Sequence, residues 1–173
     1  MWKTEGSSSR ETGISGNVPG MSDLVRVSPV ALLPTQAGCA VFLGNDEKSI
    51  VFYIEPAIGA SINDALSDRQ PPRPLTHDLF NDFLKAFGAT VQRVLIVKVE
   101  NDVFYARIFF EAENEIQEKM IVELDARPSD SIALAVRQQA PIFVVKEVWN
   151  NLKDMTSVLE ELRDKGMELE GGD

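Results

Sequence analysis

The chain has 173 residues, 27 of them acidic and 17 basic, and a formal net charge of −10. This length lets one domain bury a sizeable core without disulfides or metal staples. The acidic balance disfavours a passive coat on nucleic acid, because it opposes the attraction that supplies most nonspecific affinity for phosphate backbones. An acidic nuclease is still possible, since clustered carboxylates can recruit a divalent metal that meets the phosphate.

The cysteine content and the apolar runs indicate the cellular setting. Cys39 is the single cysteine and lies in an apolar run, which favours a packed thiol in a reducing compartment. No apolar stretch approaches the roughly 18 residues of a membrane span, and the N-terminus lacks the apolar core of a secretory signal. We therefore expect a soluble, cytoplasmic protein without membrane partners.

The first half of the chain predicts a leader, a β-meander and a helix. Residues 1–21 are rich in Gly and Ser, which predicts a disordered leader or residues left from cloning. Three β-rich runs at 24–33, 40–43 and 50–54 are separated by turn residues and predict an antiparallel meander. Apolar residues then recur at helical spacing from Ile58 to Leu66. The Pro-rich segment that follows ends this helix.

A second helix is predicted from Thr76, as its N-cap, to Gly88. Asp78 in its first turn and Lys85 in its last match the helix macrodipole. Its apolar stripe predicts one face buried against a sheet and consists of Leu79, Phe80, Phe83, Leu84 and Phe87. Strands are then predicted at 91–99, 103–110 and 119–124, with turns at 101–102 and 113–114.

The last third predicts a buried helix, a short strand and a C-terminal helix. Residues 128–138 are apolar nearly all round, which places this helix in the core, and 141–145 reads as a strand. A stripe on the last helix, which ends near Gly166, comprises Leu152, Met155, Leu159 and Leu162. We predict a single α+β domain at 22–150, with two antiparallel β-meanders and interspersed helices packed on the sheet. Residues 151–173 then form an amphipathic helix and a tail that frays from Glu168.

The second meander is predicted to carry polar side chains on one face. A hairpin centred on 113–114 pairs Val103 with Asp125, Tyr105 with Glu123 and Arg107 with Ile121. The preceding turn pairs Lys98 with Tyr105. One face would then carry Lys98, Tyr105, Arg107, Glu123 and Asp125. This face is either the solvated side of an antiparallel sheet or part of a site.

Candidate site residues follow the last strand of this meander. Asp125 ends the strand and Asp130 begins the next helix, with Arg127 between them. Two carboxylates held a few ångströms apart can bind Mg²⁺ or Mn²⁺, and an arginine fork suits a phosphate, so a phosphodiesterase site is one reading. In the other reading Ser129 or Asp130 caps the helix and Arg127 pairs with Asp125, a purely structural arrangement.

His77 is the only histidine, and this limits the possible mechanisms. An acid/base pair of two histidines within one subunit is excluded, and so are zinc sites rich in His and Cys. His77 stands beside Asp78 at the start of a predicted helix. It acts there as a general acid or base, or it is a surface residue without a catalytic duty.

Two motifs carry a family resemblance. Residues 73–79 read Arg-Pro-Leu-Thr-His-Asp-Leu, residues 125–135 read Asp-Ala-Arg-Pro-Ser-Asp-Ser-Ile-Ala-Leu-Ala, and a Tyr-Ala-Arg strand at 105–107 lies between them. In this order they resemble the bifunctional nuclease domain family, long described as a domain of unknown function. The likeness covers roughly 23–148. It implies an α+β domain that has both DNase and RNase activity and commonly self-associates.

The segment before the first helix departs from the family pattern. Relatives tend to show a Gly followed shortly by Glu-Ala, and the acidic residue expected near Ile58 is missing here. If that carboxylate binds metal in relatives, the site of this chain is weakened unless Glu55 takes its place.

We therefore predict a metal-assisted nuclease that hydrolyses phosphodiester bonds of DNA and RNA with low sequence specificity. Asp125 and Asp130 would hold Mg²⁺ or Mn²⁺, Arg107 and Arg127 would steady the phosphate, and His77 or a metal-bound water would move the proton. The alternative is a noncatalytic, self-associating binding or regulatory module. Its polar motifs would be caps and ion pairs, and its C-terminal stripe would dock on a partner subunit.

Overall fold

The computed structural model describes residues 20–113 and 119–166. Most of the predicted leader, Asn114 of the predicted turn and the tail from Glu168 lie outside these ranges. The strands are β1 (Leu24–Thr35), β2 (Gly38–Gly44), β3 (Ser49–Ile54), β4 (Ala89–Glu100), β5 (Val103–Glu113), β6 (Lys119–Ala126) and β7 (Ile142–Val145). The helices are α1 (Pro56–Leu66), α2 (Thr76–Ala86), α3 (Pro128–Gln138), α4 (Lys146–Asn151) and α5 (Thr156–Asp164).

The strands form one seven-stranded mixed sheet in the order β3-β2-β1-β7-β4-β5-β6. Strand β7 lies between the two predicted meanders, antiparallel to β1 and parallel to β4. It is short and apolar, as expected for a strand that is buried on both faces. The predicted α+β class is confirmed, but the two meanders are halves of a single sheet.

The turn between β4 and β5 is confirmed, while the predicted pairing of β5 with β6 is wrong in register. Asn101 and Asp102 both have positive φ, the conformation that two-residue hairpin turns require. Lys98 pairs with Tyr105 as predicted. Arg107, however, pairs with Asp125 instead of Ile121. The displacement is an even number of residues, so each side chain keeps its predicted face.

Helices α1 and α3 cover one face of the sheet and enclose the main core. Ile132, Ala133 and Ala135 of α3 are completely buried, so the predicted position of this helix in the core is confirmed. Helix α1 approaches β2 closely at Gly59, where an added Cβ would lie 2.6 Å from both Cβ and Sγ of Cys39. Burial raises the pKa of the Cys39 thiol, consistent with the predicted packed cysteine.

Helix α2 differs from its prediction in its cap and in its burial. The N-cap is Leu75, not Thr76, and the Asp78 carboxylate accepts a hydrogen bond from the Leu75 backbone N–H at 2.9 Å. Of the predicted stripe only Leu84 is buried, whereas Phe83 and Phe87 are 53% and 69% exposed. The helix packs on α3 and β4 and leaves most of its aromatic face open. Periodicity predicts which residues share a face but not what covers it.

The predicted C-terminal helix corresponds to α5, which begins only at Thr156, so Leu152 and Met155 of the predicted stripe precede it. The short helix α4 was not predicted, and residues 152–155 separate it from α5. The break is held in place by β3, because the Met155 N–H donates to the Ser49 carbonyl at 2.8 Å. Leu159 of α5 is buried in an outer cluster on the sheet face away from α1 and α3, formed with Leu33, Ala40 and Phe42. The stripe therefore packs on its own sheet.

No helix in the described ranges is long and apolar enough to cross a membrane.

Candidate functional site

The starts of α2 and α3 meet at a contact between His77 and Asp130. The His77 Nε2 atom lies 3.0 Å from Asp130 Oδ1, although the two residues are 53 positions apart in the chain. His77 comes from the first sequence motif and Asp130 from the second. The fold therefore brings the two motifs together at side-chain level. The His77 side chain is 15% exposed and that of Asp130 33% exposed, so both are within reach of solvent.

Arg127 extends this contact towards solvent. Its Nε donates to Asp130 Oδ2 at 2.7 Å, and its Nη1 donates to Glu55 Oε1 at 3.2 Å. Arg127 therefore pairs with Asp130 and Glu55, not with Asp125 as the structural reading expected. Burial alone would raise the pKa of Asp130, but the hydrogen bonds from Arg127 and His77 hold it below its usual range. Asp130 is accordingly an ionised acceptor at neutral pH.

Ser61 and Arg137 lie on the other side of His77. The Ser61 hydroxyl lies 3.4 Å from His77 Nδ1, and Arg137 Nη2 donates to the same hydroxyl at 2.8 Å. Arg137 Nε also donates to Asp78 Oδ1 at 2.7 Å. A continuous set of contacts, here named the polar chain, thus runs through Asp78, Arg137, Ser61, His77, Asp130, Arg127 and Glu55.

The polar chain determines which nitrogen of His77 carries the proton. Ionised Asp130 can only accept, so Nε2 bears the hydrogen and a neutral ring keeps a lone pair on Nδ1. The order Ser, His, carboxylate is the one that activates a serine nucleophile. Ser61 is only 3% exposed, however, which keeps a macromolecular substrate away from its hydroxyl. We therefore do not assign Ser61 as a nucleophile, and its long contact of 3.4 Å holds His77 only weakly.

Asp125 and Arg107, the remaining predicted site residues, lie outside the polar chain. They are cross-strand partners, and Arg107 forms an ion pair with Glu123 on the same sheet face. Strand alternation turns this face away from α1 and α3, because the neighbouring Ala106 and Ile108 point into the main core. No hydrogen bond or ion pair within the described ranges joins Asp125 to Asp130 or His77. The predicted constellation is thus divided between two faces of the sheet.

The geometry also bears on the predicted metal pair. Asp125 and Asp130 do not converge, and the described residues include no group of three or more His, Cys, Asp and Glu that could hold a metal ion. Glu55 and Asp130 do converge, because both bind the Arg127 guanidinium. The Arg127 guanidinium occupies the space between these two carboxylates, so an ion shared by them would have to take its place.

An open cleft of about 830 Å³ lies beside Arg127. Its apolar wall includes Phe52 of β3 and Phe104 of β5, whose ring centroids are 5.3 Å apart. These strands are far apart in the sheet order, so the sheet curves strongly to bring them into contact. Glu55, Arg127 and Asp102 are the charged residues of the lining.

Sequence reasoning missed Ser61 and Arg137 and treated Glu55 only as a substitute. One local signal for Arg137 was available. Asp130 and Arg137 are seven residues apart and therefore lie on the same face of α3, two turns from each other. No comparable signal marks Ser61, which is an ordinary small residue in the middle of α1.

Comparisons with known proteins identify the family of this chain. A family model described as the bifunctional nuclease domain matches residues 41–156, which include the whole polar chain. An uncharacterized protein of Mycobacterium tuberculosis is 35% identical over 104 residues, which are 60% of this chain and 58% of the relative. Bifunctional nuclease 1 of Oryza sativa subsp. japonica is 30% identical over 88 residues, 50% of this chain and 26% of the relative.

A further plant relative, bifunctional nuclease 1 of Arabidopsis thaliana, is 30% identical over 82 residues. These are 47% of this chain and 25% of the relative. The chain therefore matches little more than half of the mycobacterial protein and about a quarter of each plant protein.

Proposed function

The chain belongs to the bifunctional nuclease domain family, and we propose that it is a nuclease that hydrolyses phosphodiester bonds of DNA and RNA with low sequence specificity. The observation that carries this proposal is the 3.0 Å contact between His77 Nε2 and Asp130 Oδ1. It joins the two family motifs into a histidine oriented by a carboxylate, next to an exposed arginine. Hydrolysis of a phosphodiester needs a base for the water and a cation for the phosphate.

In the proposed reaction His77 acts as the general base and acid. Its Nδ1 accepts a proton from water, because the Ser61 hydroxyl at 3.4 Å makes at most a weak bond there. The water oxygen bonds to phosphorus as the bond to the leaving oxygen breaks, and His77 then returns the proton to that oxygen. Asp130 stabilises the charged ring that forms in between.

Arg127 is the proposed phosphate-binding residue. Its side chain is 61% exposed, and its guanidinium keeps donors that can turn from Glu55 to a phosphate. Arg107 was predicted for the same role, but its ion pair with Glu123 lies on the other face of the sheet. We therefore assign the phosphate to Arg127 alone.

Assistance by Mg²⁺ or Mn²⁺ remains part of the proposal. Glu55 and Asp130 are the carboxylates that would share the ion, and the ion would neutralise charge that develops on the phosphate. Their convergence on Arg127 supports this choice over the pair of Asp125 and Asp130. The roles of His77 and Arg127 do not depend on it.

The proposal is tested by cleavage of single-stranded RNA and double-stranded DNA with Mg²⁺, Mn²⁺ or EDTA. We expect Asp130→Asn to lower the rate at least 100-fold, because the charged ring of His77 loses the carboxylate that stabilises it. Asp125→Asn should stay within about threefold of wild type. Both variants must show the wild-type circular dichroism spectrum. Equal activity of Asp130→Asn and wild type would place the activity elsewhere or in a contaminant.

One observation favours the alternative, a noncatalytic self-associating module. Several large apolar side chains on α2 and on the edge strand β6 are exposed, which is typical of interaction surfaces: Leu79, Phe83, Phe87, Met120 and Leu124. We accordingly propose that the chain forms a homo-oligomer. Light scattering after size exclusion tests this, since Phe83→Ser with Phe87→Ser should yield monomers. A monomeric wild-type protein would contradict it.

A further inference from the structure

We propose that the cleft beside Arg127 receives an unstacked nucleobase and that the substrates are therefore single-stranded DNA and RNA. This inference rests on the proposed nuclease function and names its substrate class. It uses the cleft wall, which the proposed reaction does not require.

The position of Arg127 connects the cleft to the polar chain. Arg127 binds Asp130, the partner of His77, and also lines the cleft together with Pro128 and Ser129. A phosphate held by this guanidinium would therefore sit at the rim of the cleft. The base of an adjoining nucleotide would then lie over the cavity.

The cleft wall suits a planar aromatic ligand. The Phe104 ring is partly exposed and meets the buried ring of Phe52 at an angle of 38°, and Val103 extends the apolar surface beside it. Val103 is 53% exposed, so this part of the wall is accessible. The volume of about 830 Å³ lies within the range of about 300–1,000 Å³ found for ligand sites. Stacking on aromatic side chains tolerates any base, in keeping with low sequence specificity.

The backbone of β3 adds hydrogen-bonding groups at the same place. Strand β3 is at the end of the strand order and pairs with β2 within the described ranges. Val51 to Ile54 line the cleft, so backbone groups on the outer edge of this strand can meet the edge of a base.

The charges indicate how such a strand would bind. Glu55 and Asp102 share the cleft lining with Arg127, and the net charge of the chain is −10. An extended cationic track for the phosphates is absent from this lining, so binding depends on base contacts and about one phosphate. For single strands the slope of log affinity against log salt is about −0.7 per neutralised phosphate. We therefore expect a slope near −0.7, far shallower than for a basic groove.

The cleft also explains why a duplex would be a poor substrate. Bases in a duplex are stacked and paired, and each must be extruded before it can enter a cavity. We expect single-stranded DNA to bind and to be cut at least tenfold better than the same sequence as a duplex.

The test measures binding and cleavage on the same protein preparations. Binding is followed by fluorescence anisotropy of a labelled ten-nucleotide DNA strand in EDTA, with the duplex of the same sequence as a comparison. Val103→Asp adds a carboxylate to the cleft wall, and Tyr105→Asp adds the same charge two residues away on the same strand, outside the cleft lining. Phe104→Leu removes the aromatic ring but keeps an apolar side chain. It therefore tests the cleft even if Val103→Asp does not fold.

We expect Val103→Asp and Phe104→Leu to weaken single-strand binding at least fivefold and Tyr105→Asp to leave it unchanged. Equal affinity for the duplex, or binding unaffected by both cleft variants, would overturn the inference. If either of these results is obtained while the wild-type protein still cuts nucleic acid, the cleft assignment fails and the nuclease function stands. If single strands bind in the cleft but are never cut, the nuclease function fails. Absence of both binding and cleavage would overturn both.

Discussion

Replacing Arg137 with alanine is the strongest test of whether the polar chain holds three helices together. The Arg137 side chain is 7% exposed, and it bonds α1 at Ser61 and α2 at Asp78 from its own position on α3. Its Nη1 also donates to the Ala133 carbonyl at 2.7 Å. The alanine variant leaves the Asp78 carboxylate and the buried Ser61 hydroxyl without this donor.

The structure sets the expected size of the loss. Removing one partner of a buried charge pair costs about 3–5 kcal/mol. Asp78 is 25% exposed and keeps the hydrogen bond from Leu75, so the lower end applies and we expect a loss of about 3 kcal/mol. For a domain of this size that corresponds to a fall in Tm of about 6–12 °C.

Urea unfolding at pH 7 measures this loss. Arg69→Ala is the matched control, because Arg69 is 61% exposed and lies 3.8 Å from Asp64, so the free energy of unfolding should change by less than about 0.5 kcal/mol. A loss below about 1 kcal/mol for Arg137→Ala would refute the reasoning.

The effect of Arg137 should also depend on pH. Burial raises the pKa of Asp78, but the hydrogen bonds from Leu75 and Arg137 outweigh it and leave that pKa below its usual value. A lowered folded-state pKa stabilises above the ordinary pKa, and this stabilisation is lost as pH falls through the folded value. The difference between wild type and Arg137→Ala should therefore narrow below about pH 4.

Three further predictions concern other parts of the molecule. Leu159→Ala should cost about 2–5 kcal/mol in urea unfolding, because Leu159 is 3% exposed in the outer cluster; a change below 1 kcal/mol would mean that α5 does not contribute to the fold. Gly59→Ala should cost about 1–3 kcal/mol, since its Cβ would lie 2.6 Å from Cys39; thermal melts equal to wild type would contradict this close approach. Asp130→Asn should make the free energy of unfolding fall less steeply on acidification. The lowered pKa of Asp130 stabilises the folded state above the ordinary pKa, and this stabilisation is lost as pH falls through the folded value. An unchanged dependence of the unfolding free energy on pH between about 5 and 2.5 would count against the ion pairs of Asp130.

Local patterns were sufficient for most strands and for α3. The turn at Asn101 and Asp102 was predictable because both residue types tolerate positive φ. The position of β7 in the sheet was not predictable, because its pairing with β1 and β4 joins segments that are distant in sequence. The exposure of Phe83 could not be foreseen either, since a helical stripe is compatible with any partner or with none.

The candidate site was predictable in composition but not in grouping. Asp130, Arg127 and His77 were selected from their motifs, and these three do meet. Asp125 was selected because it is close to Asp130 in sequence, but strand alternation sends its side chain to the other face. The contact of His77 with Asp130 depends on how α2 packs on α3, which no local pattern specifies.

The most direct test of the proposed function is the rate of phosphodiester cleavage by His77→Gln beside wild type, measured on single-stranded RNA with matched purification. Glutamine can still donate a hydrogen bond to Asp130 but cannot accept a proton, so the fold should be kept while acid–base catalysis is lost. We expect the rate to fall at least 100-fold at an unchanged melting temperature. A His77→Gln protein that cuts RNA at the wild-type rate would contradict the assignment of this site.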